Sequence, residues 1–569
     1  MEKKTINSIS ELPNGVLLTG KNGRVKISDS DTKFVAAYQL SGSVNCWVLS
    51  TIEGERGHAK LQLLKKLREQ SLEVDAMAMV QDGILKVLYE SDEKKAEEIN
   101  EVGSLKDSPV VKEMYKLMEL AYSQKASDVH IEKRQEYAGI KIRKHGEIVK
   151  LKGYETISQK AATDLCTVAY NVMAEPDSID VNFNDSLIQQ GAIKMNLEIK
   201  GKVHEVKLRF QSIPVYPNGF DVVMRVLSVS KDEDYTSLEM LGYETSQIKL
   251  ILECVSKSTG AVIIAGVTGS GKSTTLKNLL MWLNEDRGFS EKIFTVEDPP
   301  EYVIPHVSQI PVKNGKDDKE LGKKPFEDAI KACMRGDPDL IMVGEIRDGS
   351  TGDLLKKAVQ SGHRVLSTIH APSPLGVIER LVDFNLSLST LSSQDFLAGI
   401  MYQRLMAELC PKCSKPLHKI LESSKAPRSL MEINKRIEKA FKAAKEVDYG
   451  KYMTMVRVRG SGCDFCDNGV VGRTVCAEVL KPDLKILECI QKQDLLKALS
   501  HLRDTVSDQR LTTNNMIGKS AMAHAFYKMI NGRIDPIELE RAFGIISYGE
   551  IRGMPELDSQ DYKEETFVF

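Results

Sequence analysis

Residues 266–273 are Gly266-Val267-Thr268-Gly269-Ser270-Gly271-Lys272-Ser273, and they match the pattern G-x-x-x-x-G-K-[ST] at every position. The apolar run 261–265 predicts a strand before this stretch, and residues 274–283 predict a helix after it. Glycines allow backbone N–H groups to face phosphates, and a helix N-terminus adds positive potential. We therefore expect Lys272 to reach the β- and γ-phosphates of a nucleoside triphosphate and the Ser273 hydroxyl to bind Mg²⁺. The predicted nucleotide-binding residues are Gly266, Thr268, Gly269, Ser270, Gly271, Lys272, Ser273 and Thr274.

Two further apolar runs end in acidic residues. The run 339–343 leads through a glycine to Glu345, and the run 293–296 leads to Glu297 and Asp298. An ATPase needs carboxylates that position the attacking water and the metal. Taken alone, each run could be a buried strand followed by a solvated charge. Because both runs follow a complete phosphate loop in the sequence, we favour the interpretation that their acidic residues are catalytic.

Composition excludes several classes of protein. The 569 residues include 78 Lys and Arg against 80 Asp and Glu, a formal net charge of -2. No global basic field attracts nucleic acid, so no nucleic-acid partner is expected. The N-terminus leads into polar sequence without an apolar signal core, and the apolar run 261–267 is far shorter than the roughly 20 residues of a membrane span. We therefore expect a cytoplasmic protein.

Four of the ten cysteines form two Cys-x-x-Cys pairs, Cys410 with Cys413 and Cys463 with Cys466. Four thiolates on two tight turns suit a closed, tetrahedral, structural Zn²⁺ site. A long chain without a signal peptide favours metal over a disulfide framework. Thiols without a metal are the alternative.

Two other segments leave alternatives open. Between the cysteine pairs, apolar residues at helical spacing predict a basic amphipathic helix over Arg428–Glu446. Such a helix either contacts anionic lipid or an acidic partner, or packs by one face as an ordinary surface helix. Residues 1–105 contain no recognisable chemistry and form either a docking module or a purely structural domain.

Four stretches resemble, in order, the Walker A, Asp, Walker B and His boxes of the type II secretion and type IV pilus ATPases. They are residues 266–275, 295–302, 335–348 and 362–370, and the resemblance extends over about residues 108–480. It implies that Glu345 is the general base, that Glu297 and Asp298 order magnesium and water, and that His370 senses the γ-phosphate.

The resemblance also implies an arginine-bearing domain before the ATPase core. Arg209 and Arg225 match arginines that clamp the nucleotide phosphates in the family, and ordinary exposed strand residues are the alternative. Two stretches depart from the family pattern. The turn 143–146 is Arg-Lys-His-Gly in place of R-x-D-G, and Ala192 replaces the basic residue of Q-D-G-R.

The expected fold class is α/β, a multidomain P-loop (RecA-like) ATPase with an arginine-bearing α/β domain, a zinc-binding insert and a helical C-terminal region. The expected segments are an N-terminal docking module (1–105), the arginine-bearing domain (108–230), a linker (231–240), the P-loop core (241–405), the tetracysteine region (406–480) and the helical C-terminal region (481–569).

The resemblance implies a homohexameric motor that uses ATP, Mg²⁺ and Zn²⁺. Such a motor is peripheral to the inner membrane through a platform protein and acts indirectly on pilin-like subunits in type IV pilus assembly or type II secretion. The alternatives are a pilus-retraction ATPase, a conjugative type IV secretion ATPase, or a nucleotide-gated scaffold. A scaffold would be marked by loss of Lys272 or Glu345, and both are present.

Overall fold

The computed structural model describes residues 108–179, 182–228, 235–298, 300–312, 323–447 and 449–554, together with shorter stretches between residues 3 and 89. The first four residues of the predicted linker 231–240 lie outside the described residues, and its last residues begin the short helix Leu238–Leu241. Among the described helices, none is long and apolar enough to cross a membrane.

The N-terminal module contains a mixed five-stranded sheet. Its strands are Lys3–Ile6, Gly15–Leu17, Val35–Leu40, Cys46–Ser50 and Val74–Val80, and the first pairs with the fifth in parallel. A helix extends over His58–Glu69, where Leu63 and Leu67 are fully buried against the sheet. A shorter helix, Ile52–Arg56, precedes it.

The arginine-bearing domain is an antiparallel sheet of six strands. Its strands, in chain order, are Asp128–Lys133, Ala138–Lys144, Glu147–Lys150, Gln189–Ile199, Lys202–Val215 and Gly219–Ser228. The helices Pro109–Ser123 and Gln159–Val168 bury their apolar faces in the same cluster as the sheet. In the register of this sheet, Arg209 lies directly opposite Arg225 on one side and Ala192 on the other.

The phosphate loop belongs to a seven-stranded sheet, which confirms the expected α/β class. In spatial order its strands are Ser308–Pro311, Ile293–Glu297, Leu340–Val343, Arg364–Ile369, Gly260–Ala265, Leu397–Leu409 and Val470–Leu480. All neighbouring pairs are parallel except the last. Side chains of the strand Gly260–Ala265 alternate between two apolar clusters, with Ile263 in one and Ile264 in the other. Helices therefore cover both faces, as a parallel sheet requires. The helices of this part are Thr245–Val255, Lys272–Asp286, Lys323–Met334, Gly349–Gln360, Pro374–Asp383, Leu388–Leu391, Leu484–Gln491 and Leu495–Asp504.

The structure corrects the expected boundary between the core and the tetracysteine region. The strand Leu397–Leu409 crosses the predicted boundary at residue 405, and the strand Val470–Leu480 pairs antiparallel with it, Leu409 opposite Val470. The region is therefore an excursion that leaves the ATPase sheet and returns to it, and its last residues form the edge strand of that sheet.

The predicted basic helix is Arg428–Ala443, which is three residues shorter than expected. It packs by one face, because Leu430, Ile433, Ile437 and Phe441 are buried. Phe441 contacts Phe526 of the C-terminal helix Ala521–Ile530, with ring centroids 5.7 Å apart. The tetracysteine region and the C-terminal helices therefore share one hydrophobic core. The other elements here are the helices Leu417–Leu421, Gly450–Met455, Pro536–Phe543 and Tyr548–Arg552 and the short strands Lys415–Pro416 and Arg457–Val458.

Candidate active site

The phosphate loop connects the strand Gly260–Ala265 to the helix Lys272–Asp286. Gly271 caps the helix in the left-handed region, at φ 85°. A Cβ atom at Gly266 would lie 2.5 Å from the main-chain oxygen of Gln403, so only glycine fits there. Lys272 Nζ donates to the carbonyls of Gly266 at 3.0 Å and Val267 at 3.2 Å. Burial lowers the pKa of Lys272, so an anion in the loop would stabilise the ammonium charge that burial disfavours.

Glu345 lies just beyond the strand Leu340–Val343, beside the phosphate loop. Its Oε2 accepts a hydrogen bond from Arg347 Nε at 2.7 Å, and its Oε1 lies 3.1 Å from His370 Nε2. Arg347 also donates to Asp298 Oδ2 at 3.4 Å. Burial works against the charge of Arg347, but its bonds with Glu345 and Asp298 raise its pKa. The two acids are therefore joined through one guanidinium.

The other predicted acid and the histidine are also held in fixed orientations. Glu297 Oε1 accepts from Thr295 Oγ1 at 2.7 Å and from Gln309 Nε2 at 3.0 Å. Burial and the positive charge of Lys272 lower the pKa of His370. A neutral imidazole at this position can donate or accept a hydrogen bond without adding charge.

The two predicted arginines face the ATPase core from the neighbouring domain. Arg209 Nη2 donates to the main-chain oxygen of Asp298 at 3.2 Å. Arg225 Nε donates to Asp128 Oδ1 at 3.0 Å, and the side chain of Asp128 is only 8% exposed. Like charges directly opposite on adjacent strands repel each other. Two opposed guanidiniums therefore make a position that an anion would stabilise.

These groups line one cavity of about 1100 Å³ between the arginine-bearing domain and the ATPase core. Of the predicted residues, it brings together the six candidates for catalysis and all of the loop except Gly266. The lining includes Arg209, Arg225, Thr268, Gly269, Ser270, Gly271, Lys272, Ser273, Thr274, Glu297, Asp298, Glu345 and His370. The four cysteines form a separate cluster.

The cysteine cluster has the dimensions of a metal site. Sγ atoms are 3.8 Å apart for Cys410 and Cys463, 3.5 Å for Cys413 and Cys466, and 3.6 Å for Cys463 and Cys466. Four sulfurs at about 2.3 Å from a tetrahedral Zn²⁺ lie about 3.8 Å from one another. The arrangement is therefore compatible with zinc.

The turn that departs from the family pattern contacts the tetracysteine region. Lys144 Nζ lies 2.7 Å from Asp467 Oδ2, and the Arg459 guanidinium donates to both carboxylate oxygens of Glu147. The bonds from Arg459 lower the pKa of Glu147. We call these two ion pairs the hairpin contact. It joins the arginine-bearing domain to residues that flank the second cysteine pair.

A family model described as Type II/IV secretion system protein matches residues 104–529. The chain belongs to this family. The Type II secretion system protein E of Pseudomonas aeruginosa is 33% identical over 406 residues, which cover 71% of this chain and 70% of the relative. The Type IV pilus assembly ATPase PilB of Myxococcus xanthus is 30% identical over 454 residues, which cover 79% and 70%.

The fold is also found in a solved structure. The ATPase DotB of Legionella pneumophila superposes with a TM-score of 0.50 at 18% identity, covering 76% of this chain and 95% of that one. This likeness confirms the fold. The family match and the two relatives confirm that this member of the Type II/IV secretion system protein family is an ATP-hydrolysing enzyme of the secretion and pilus motor class. Nucleotide and Mg²⁺ use follow from the family.

Sequence reasoning missed several residues of this secretion-family site. Arg347 stands two residues after Glu345, and Asp128 stands within the stretch that opens the arginine-bearing domain. Tyr302 and Arg473 also line the cavity, and Arg473 comes from the edge strand Val470–Leu480. Among the missed residues, Gln403 had the clearest sequence signal, because it is a single amide in the apolar run Leu397–Leu409. An amide buried in such a strand must find hydrogen-bond partners.

Proposed function

We propose that this family member is an assembly motor. It hydrolyses ATP in the cavity described above and drives type IV pilus assembly or type II secretion through an inner-membrane platform protein. The observation that carries the proposal is the two-domain construction of the cavity. The phosphate loop and acids come from one domain and the opposed arginines from another. Turnover of a nucleotide that both domains contact would change their separation, and that movement is the mechanical output.

The proposed chemistry follows from which side chains meet at the cavity. Glu345 accepts a proton from the attacking water, with its orientation held by Arg347 and His370. Arg209 and Arg225 neutralise charge that spreads over the γ-phosphoryl oxygens. Ser273, Glu297 and Asp298 would hold Mg²⁺, whose charge supplies electrostatic stabilisation of the phosphates when bound. His370 responds to the γ-phosphate through its contact with Glu345.

We propose further that the four cysteines bind one structural Zn²⁺, since the sulfur separations leave no open position for water. We also propose a cyclic homohexamer, because heterologous contacts between identical subunits close into rings. The protein would then act at the inner membrane through its platform partner, with pilin-like subunits as indirect substrates.

The test is carried out in the source cell with the full chain. Crosslinked membranes should yield this protein together with a polytopic platform protein, and deletion of the chain should abolish pili or secretion. Complementation with wild-type protein should restore the process, whereas Lys272→Ala should not. Accumulation of surface pili after deletion would contradict the proposal and assign a retraction motor. Unchanged pili and secretion would remove it from this process altogether.

A further inference from the structure

A chain of buried hydrogen bonds connects the C-terminal region to the phosphate loop. It starts at Lys528 on the helix Ala521–Ile530, passes through the turn at Gly242 and Tyr243, and continues through Gln403 to Ser270. Lys528 and Gln403 are fully buried, and Tyr243 and Ser270 nearly so. None of the roles described so far uses the side chains of Lys528, Tyr243 or Gln403.

The last bond of the chain acts on the phosphate loop directly. Gln403 Nε2 donates to the main-chain oxygen of Ser270 at 2.7 Å. The peptide between Ser270 and Gly271 is planar, with its C=O and N–H pointing in opposite directions. Holding the Ser270 oxygen against Gln403 therefore turns the Gly271 N–H away from Gln403. Gly271 lines the cavity, and that N–H is the kind of donor that a phosphate loop presents to its ligand.

The orientation of Gln403 is set from the other end. Tyr243 donates from its hydroxyl to Gln403 Oε1 at 2.7 Å, so the amide can present only its nitrogen to the loop. The same hydroxyl lies 3.3 Å from Thr275 Oγ1 in the first turn of the loop's helix. Tyr243 thus fixes which way the amide faces.

Lys528 fixes the turn that carries Tyr243. Its ammonium donates to Gly242 O at 2.5 Å, Thr474 Oγ1 at 2.7 Å and Val475 O at 2.5 Å. All three donors of the ammonium are used. A Cβ at Gly242 would lie 2.7 Å from Lys528 Nζ, so the glycine makes room for this approach. The turn is thereby attached both to the edge strand Val470–Leu480 and to the C-terminal helix.

We propose that Gln403, Tyr243 and Lys528 are positioning residues, through which the C-terminal region holds the phosphate loop in its nucleotide-binding shape. The inference rests on nucleotide binding at this loop and not on the process that the motor drives. Without the amide, the Ser270 carbonyl is buried without its donor and the loop relaxes to other conformations. Part of the free energy of nucleotide binding is then used to order the loop again. We therefore expect the affinity for nucleotide to fall more than kcat.

The test compares Gln403→Met with Gln189→Met in the full-length protein. Gln189 is a buried amide of the arginine-bearing domain that donates to Asn182 O at 3.0 Å and accepts from the Asn184 N–H at 2.7 Å, and it does not line the cavity. ATP affinity is measured by calorimetry, KM and kcat by phosphate release, and folding by thermal unfolding. Gln403→Met should weaken ATP binding and raise KM about tenfold, with kcat changed much less. Gln189→Met should lose comparable thermal stability and keep its ATP affinity.

Substitutions at Tyr243 and Lys528 test whether the chain of hydrogen bonds connects the C-terminal helix to the phosphate loop. Tyr243→Phe removes only a hydroxyl and should weaken ATP binding about threefold. Lys528→Met should also weaken ATP binding, and Lys528→Arg should restore part of the lost affinity. The double variant of Lys528→Met and Gln403→Met should bind ATP about as well as Gln403→Met alone, because both substitutions act through the same chain of hydrogen bonds. Wild-type ATP affinity in Gln403→Met, or equal losses of affinity in Gln403→Met and Gln189→Met, would overturn the inference while leaving the nucleotide site standing. Wild-type protein that binds no ATP would overturn the site itself.

Discussion

Glu345 is held from two directions by cationic or polar side chains. Arg347 engages one carboxylate oxygen and His370 the other, and Arg347 reaches on to Asp298. The contacts fix the carboxylate plane beside the phosphate loop. An amide at position 345 would preserve this shape but could not take a proton from water.

Glu345→Gln should therefore abolish ATP hydrolysis and leave nucleotide binding near normal. Phosphate release and binding of a fluorescent ATP analogue measure the two separately. The matched variant Lys272→Ala should instead weaken binding, because it removes the charge that faces the phosphates. Turnover of Glu345→Gln within a few-fold of wild type would show that another group is the base.

The opposed arginines provide the second prediction at this scale. Arg209→Ala or Arg225→Ala should reduce kcat about 10³-fold or more, the effect of arginine fingers in comparable phosphoryl-transfer sites. Lysine at either position should rescue only partly, since a point charge cannot reproduce the guanidinium fork.

Arg134→Ala is the control for this loss. Arg134 is in the same domain and pairs with Asp221 at 2.7 Å, but it does not line the cavity. Its steady-state ATPase rate should stay near that of wild type. An equal loss in all three alanine variants would mean that the arginines support the domain and not the reaction.

Individual elements were predicted where the local pattern decides the conformation. The strand predicted at 261–265 is Gly260–Ala265, and the helix predicted at 274–283 is Lys272–Asp286. That helix begins earlier because Gly271, and not apolar periodicity, determines its N-terminus. The edge strand Val470–Leu480 was assigned to the tetracysteine region because the cysteine pairs dominate the local pattern there.

The site residues that the sequence did not predict meet through pairing of strands that are far apart in the sequence. Gln403 meets Ser270 only because the strand Leu397–Leu409 pairs with Gly260–Ala265, and no local pattern encodes that neighbour relation. Asp128 meets Arg225 for the same reason, through pairing of their two strands. The roles given to Glu345, Glu297 and His370 remain predictions.

At the tetracysteine region, Cys410→Ser combined with Cys413→Ser should remove one Zn²⁺ per chain. Because structural zinc contributes directly to folding free energy, residues 405–480 should become more accessible to hydrogen exchange. Metal analysis by mass spectrometry gives the stoichiometry. Cys489→Ala changes a buried thiol outside the cluster and should retain the metal. Freshly purified wild-type protein without zinc would contradict the prediction.

The C-terminal helix Ala521–Ile530 contains a buried histidine that makes stability depend on pH. Burial, with the nearby Lys528 charge, lowers the pKa of His524 to about 4. Glu244, 3.7 Å from its Nε2, opposes this shift. The unfolded histidine titrates near its usual pKa of about 6.5. The unfolded state therefore binds more protons between pH 4 and 6.5, so stability falls as pH drops through that window.

His524→Gln keeps a side chain that can accept from the Ala477 N–H but does not titrate. Between pH 6.5 and 4, wild type should lose about 3 kcal/mol more unfolding free energy than this variant. Urea unfolding across that range measures the difference. Parallel curves for wild type and His524→Gln would contradict the buried, neutral histidine.

At the scale of the whole molecule, the hairpin contact joins two domains that also meet at the nucleotide cavity. Glu147→Arg would set two guanidiniums against each other, and Arg459→Glu in the same chain would restore an ion pair of reversed polarity. We expect the single variant to broaden the distribution of interdomain distances, measured by double electron–electron resonance between spin labels. The double variant should narrow it again. Because exposed pairs contribute only about 1 kcal/mol, the shift should be partial. An unchanged distribution in Glu147→Arg would mean that the hairpin contact does not set the interdomain arrangement.

The return of the chain to its own sheet has a consequence for biosynthesis. A ribosome releases the phosphate loop and the strand Leu397–Leu409 well before the strand Val470–Leu480 that covers its edge. Throughout that interval the nascent protein presents an open sheet edge, the kind of surface that templates aggregation. Lys528 and the partners of Phe441 emerge later still. A messenger RNA truncated before the codons for Val470–Leu480 yields a chain that keeps the phosphate-loop sequence but lacks the last strand of the sheet. Such a chain is a substrate for chaperones and proteases and not a small working motor.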